Sequence, residues 1–74
     1  MEGDVHAHRY RITINGALGQ VSCQVFEDFV IEPAGGQTSL IADLDQAGLY
    51  GALLRLQSLN LELIELARMP AEVS

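Results

Sequence analysis

Two histidines separated by one residue, His6 and His8, are the first side chains whose spacing could do chemistry. Alternation in an extended chain would put both imidazoles on one side with Asp4, a set able to hold zinc or nickel. A structural site takes about four ligands, and Cys23 is the one plausible addition, so the expectation is a solvated tail with no metal bound. Cys23 would act as a nucleophile if a base or a helix N-terminus lowered its pKa. No basic residue lies within several positions of it, and a buried, inert thiol is expected. Glu27 and Asp28 are adjacent carboxylates, with Glu32 near, and such groups serve acid–base chemistry when one is desolvated. Neighbouring residues diverge in direction, so a turn or helix-end role is expected. Asp43 and Asp45 flank a helix start, where both would interact favourably with the helix dipole. Arg11 could grip a carboxylate, while Arg55 is expected in ordinary surface ion pairs. Gly16-Ala17-Leu18-Gly19 follows a strand pattern but lacks the spacing of a phosphate cradle. The residues therefore give no catalytic group, no cofactor site and no metal site.

Composition narrows the classes further. The chain has 74 residues, 49% of them hydrophobic but only 5% aromatic. A chain this short has few positions in which to bury so much apolar surface, and an oligomer that hides the surplus in an interface is the simplest resolution. No uncharged apolar run approaches the roughly 20 residues of a membrane span. Ten acidic residues face four arginines, for a formal charge of −6, which argues against nucleic acid and against anionic membranes. The first residues are polar and acidic, unlike a secretory signal, and the single cysteine forms no internal disulfide. A cytoplasmic location is expected.

The elements that must position these residues follow from periodicity. Residues 1–8 read as a flexible tail, 9–70 as one α+β domain and 71–74 as a second tail. Tyr10-Arg11-Ile12-Thr13-Ile14-Asn15 alternates strictly, with Tyr10, Ile12 and Ile14 facing inward and Arg11 outward. Residues 20–28 fit either a strand, through Val21, Cys23 and Val25, or a helix with Val21, Val25 and Phe29 on one face; a short helix is the reading taken. Phe29–Glu32 reads as a strand stopped by Pro33, Ala34-Gly35-Gly36-Gln37 as a hairpin turn, and Thr38–Ala42 as the returning antiparallel strand. Asp45 should cap a helix, Leu44 and Leu49 should staple it, and Leu49, Ala52, Leu53 and Leu56 form its core stripe. Asn60 suits a left-handed end. Leu61–Arg68 reads as a last strand with Leu61 and Leu63 on one side and Ile64 and Leu66 on the other, a pattern expected of a strand buried on both faces. The order is β-α-β-β-α-β, and a helix crossover makes the third and fourth strands run in the same direction. The expected fold is a compact ferredoxin-like α+β arrangement: a four-stranded, mostly antiparallel sheet, a short first helix, both helices on one face, and a second subunit on the other.

The chain also resembles a group of short bacterial proteins with no established function. The matching residues are Phe26-Glu27-Asp28-Phe29, the helix opening Asp45-Gln46-Ala47-Gly48-Leu49-Tyr50-Gly51, and then Leu53, Leu54, Arg55, Leu59, Asn60, Leu61, Leu63 and Ile64. The likeness runs from about residue 10 to 69, and the helix motif Asp-Gln-Ala-x-Leu-[His/Tyr]-Gly is its most specific part. The chain lacks the tryptophans of that group. The resemblance implies the strand–hairpin–helix–strand architecture and no activity.

Three functions are compatible with these observations. The first is a small non-catalytic protein-interaction or structural module acting as a homodimer, with room for a second protein partner. Its candidate interface is Ala47, Tyr50, Gly51 and Leu54 on the helix face opposite the core stripe, and Ile64 and Leu66 on the sheet. Gly51 on that stripe would permit close approach by another backbone. The second is a small-molecule-sensing domain similar to ACT-type regulatory domains. The third is a small dimeric ferredoxin-like enzyme, for which only Tyr10, Cys23 and a histidine offer polar groups between sheet and helices.

Overall fold

In the computed structural model, which describes residues 7–69, the alternating segment His8–Asn15 forms β1, an inner strand of the sheet. Ile12 and Ile14 are fully buried on one side of it. Arg9, Arg11, Thr13 and Asn15 alternate onto the other. The strand begins at His8, inside the segment read as tail, because His8 pairs with Leu44. Position 70 and the remaining tail positions, 1–6 and 71–74, lie outside the described residues.

The chain continues through α1 (Gln20–Val25), β2 (Val30–Ala34), β3 (Gln37–Leu44), α2 (Gln46–Ser58) and β4 (Leu63–Arg68). The result is an α+β unit with a four-stranded sheet in the order β2-β3-β1-β4. Every neighbouring pair is antiparallel. β3 and β4 therefore run in the same direction, as the helix between them requires, but β1 lies between them and no parallel ladder forms.

Local chemistry explains the boundaries. Gly35 and Gly36 both have positive φ, 58° and 79°, the requirement of a tight two-residue hairpin turn that matches strand twist. β2 runs through Pro33 rather than stopping there. An edge strand tolerates proline because half of its backbone groups need no partner. β3 extends to Leu44, two residues beyond the alternation, since Ala42, Asp43 and Leu44 pair with Tyr10, Arg9 and His8.

At the start of α2, Asp45 Oδ1 accepts a 2.7 Å hydrogen bond from the Gly48 amide, and Leu44 and Leu49 both pack on the core. At its end, Asn60 adopts φ 60°. The Asn60 amide donates to the Gln57 carbonyl (3.1 Å) and the Leu61 amide to the Leu56 carbonyl (2.9 Å). These are the two bonds of a Schellman end, which supply partners for carbonyls the helix leaves over.

The core is Ile12, Ile14 and Leu40 from the sheet, Ala52 and Leu56 from α2, and Phe26 from the turn after α1. Leu49 and Leu53 pack around it, as do Leu18, Val25 and Ile31. Of the expected face of the first helix, Val25 and Phe29 pack on the core and Val21 does not, while Phe26 adds the buried anchor. Val21 is exposed and Phe26 is fully buried, its ring edge-on to Phe29 with centroids 5.2 Å apart. Six residues are too few for a stripe to extend to Phe29, so the turn beyond α1 delivers the aromatic anchor. Thr38 is buried beside Ile14, and its hydroxyl donates to the Gly16 carbonyl at 2.8 Å.

Candidate functional site

The structure separates the candidate residues rather than gathering them. His8 sits in β1 with its ring edge-on to Tyr10 (centroids 6.4 Å); His6 lies outside the described residues. Cys23 is exposed on α1, contrary to the buried thiol expected, because α1 buries none of its six residues. Glu27 and Asp28 are exposed in the turn that follows. Among the described residues no three histidine, cysteine, aspartate or glutamate side chains come together as metal ligands. No described helix is long and apolar enough to cross a membrane.

Asp43 has a different role from the helix-dipole partner expected. It lies in β3 directly opposite Arg9, whose Nε and Nη2 donate to its two carboxylate oxygens at 2.9 and 3.4 Å. The Arg9 guanidinium, bonded to it and positively charged beside it, holds the Asp43 carboxyl below the ordinary carboxylate value. The pair lines an open groove of about 630 Å³, where Asp28, Glu32 and Arg55 supply the other charges.

The apolar surface tells more. On α2, Tyr50 (57% exposed) and Leu54 (62%) stand on the face away from the sheet, with Ala47 also exposed and Gly51 half-buried beside them. Gln46 donates to the Tyr50 hydroxyl at 3.3 Å. A Cβ built on Gly51 meets nothing within 4 Å, so no contact inside the chain demands glycine there.

β4 is the second apolar surface, and its geometry revises the sequence reading. Leu66 pairs with Ile12 and Leu63 with Ile14, with a register shift that leaves Ile64 as the extra residue of a β-bulge. Leu63 and Leu66 thus share the helix-covered side of the sheet, and the broken alternation is the sequence trace of the bulge. All three remain exposed, at 45% (Leu63), 44% (Ile64) and 40% (Leu66), because β4 is an edge strand. The expectation of a strand buried on both faces fails for that reason. The opposite sheet face carries Arg9, Arg11, Thr13, Ser39, Asp43 and Glu65 by register. It is mainly polar, and Leu66 is not part of it. Sequence reasoning missed this because a bulge reverses the side-chain phase without any special residue to announce it.

Fold and surface together define a small α+β unit whose exposed large apolar side chains group on α2 and on the β4 edge, with Val21 and Val30 exposed singly. The chain belongs to the family described as Domain of unknown function (DUF8691), whose model matches residues 9–67, close to the span of the resemblance in the sequence. No curated protein and no solved structure matches the chain.

Proposed function

We propose that this protein is a non-catalytic protein-interaction or structural module that works as a homodimer in the cytoplasm. The observation that carries the reading is the grouping of exposed large apolar residues on two elements, Tyr50 and Leu54 on α2 and Leu63, Ile64 and Leu66 on β4, while Val21 and Val30 are exposed singly. Clustered surface of this kind marks association sites rather than ordinary monomer surface. The candidate interface keeps its six members, Ala47, Tyr50, Gly51, Leu54, Ile64 and Leu66, as two separate patches. One patch suffices for a second copy, and the other is then available to a different protein. The acidic balance of −6 favours a partner with a basic surface.

The finer assignment of the fold, a compact ferredoxin-like arrangement, belongs to the same proposal. It is supported by two interleaved β-α-β halves, in which β1 and β2 run the same way with β3 between them, as β3 and β4 do with β1 between them. The six-residue α1 is the compact feature.

A second reading, a small-molecule-sensing domain, is favoured by the groove beside Arg9, Asp28, Asp43 and Arg55. Co-expression of tagged and untagged copies separates the two. Retention of untagged chain on the tag supports the homodimeric module. Its absence, together with a rise in melting temperature given by a small metabolite, supports the sensor.

A further inference from the structure

The two edges of the sheet differ in a way that selects a partner. The β2 edge is guarded by Pro33, and Val30 is its one exposed large apolar residue. Proline on an edge strand blocks strand addition. The β4 edge, Leu63-Ile64-Glu65-Leu66-Ala67-Arg68, has no proline; it carries Glu65, Arg68 and the bulge at Ile64, and it exposes three large apolar residues.

The hydrogen-bond phase of β4 fixes which of its backbone groups are free for a partner. The Met69 amide donates to the Arg9 carbonyl at 2.7 Å. In an antiparallel ladder bonded pairs alternate, so Glu65 and Ala67, opposite Thr13 and Arg11, also point their N–H and C=O groups at β1. Leu66 and Arg68 therefore point theirs outward, where no further strand lies among the described residues.

We infer that the partner at this edge is a second copy of the chain, added antiparallel through β4 about a two-fold axis at Leu66, to give one continuous eight-stranded sheet. The inference rests on the homodimer reading above and names its surface. A two-fold perpendicular to the sheet must pass through a residue paired with itself. Centring on Glu65 sets like charges directly opposite each other, which is destabilising. Centring on Ala67 sets Leu66 against Arg68 and Glu65 against Met69, so that Leu66 does not meet its own copy. Centring on Leu66 pairs the exposed leucine with its own copy and pairs Ile64 with the aliphatic stem of Arg68. The outward groups of Leu66 then bond to those of the same residue in the second copy, and the outward groups of Arg68 come opposite Ile64. The bulge at Ile64 delimits the ladder.

Charge is complementary in the same register. Glu65 comes opposite the small Ala67 of the second copy, whose other neighbour is that copy's exposed Arg11. Glu65 and that arginine stand on either side of a methyl group, two strand spacings or about 10 Å apart at the backbone, within reach of two long side chains. The same-side geometry also places both pairs of helices on one side of the joined sheet.

Amide hydrogen exchange of the wild-type protein over a concentration series tests the arrangement, with Leu66→Lys as the variant. The expected result is protection of the Leu66 and Arg68 amides that rises at least tenfold as the protein self-associates, against concentration-independent protection of Glu65 and Ala67. Leu66→Lys should keep the far-ultraviolet spectrum of the fold and shift the sedimenting species to a single chain. Self-association with unchanged exchange at Leu66 and Arg68 overturns the β4 inference and leaves the homodimer reading standing. A wild-type chain that stays single at every concentration overturns the homodimer reading itself. The exchange measurement needs no variant, so the inference stays open to refutation if Leu66→Lys fails to fold.

Discussion

Single side chains contribute to the stability of this domain through burial and through the exposed Arg9–Asp43 ion pair. Leu56 is 3% exposed between α2 and the sheet, so Leu56→Ala should lower the unfolding free energy by about 2–5 kcal/mol, read by denaturant unfolding. An effect within about half a kcal/mol, the range of surface sites, would show that the helix is wrongly phased. Asp43 carries a pH dependence. Because Arg9 lowers its folded pKa, deprotonated Asp43 stabilises the fold above the unfolded value of about 3.9. That contribution is lost as pH falls through the lower folded pKa. Wild type should therefore exceed Asp43→Asn in stability near neutral pH, and the gap should close on acidification. A gap that widens below pH 4 would contradict the sign. Of these two residues, Leu56 was legible from helical spacing alone. Asp43 was not, since its partner is 34 positions away and only the β1–β3 register joins them.

At the scale of elements, turns and caps were the most legible features because their causes are local. Asp45, Asn60 and the Gly35-Gly36 pair each answer a requirement of the residues beside them. Asn60→Gly should leave stability unchanged or raise it. Asn60→Val, which forces a β-branched residue to positive φ, should cost roughly 1–2 kcal/mol by thermal unfolding. Equal stability of the two variants would mean that the left-handed end does not hold α2. Gly51 is the opposite case, a helical glycine with open space where a Cβ would be. Gly51→Ala should stabilise α2 by about 0.5–1 kcal/mol and leave self-association intact. Loss of the dimer in that variant would move the interface to the α2 stripe of Ala47, Tyr50 and Leu54. The elements that misled the sequence reading, the anchor after α1 and the phase of β4, depend on tertiary packing. Phe26 is selected by the core it enters, and the bulge at Ile64 by the pairing of β4 with β1.

The whole molecule is an apolar-rich chain around a small core. The six buried apolar residues among those described account for only part of a hydrophobic content of 49%, and much of the rest is half-buried or exposed on α2 and β4. That imbalance was legible from composition, but its location was not, because it depends on which strand lies at the open edge. The central claim is that a second copy takes up part of this surface. Sedimentation equilibrium of the untagged wild-type chain at micromolar concentrations tests it most directly. The account predicts a principal species of twice the 8.0 kDa chain mass, dissociating on dilution as a two-copy equilibrium. A sole species of 8.0 kDa throughout would contradict it.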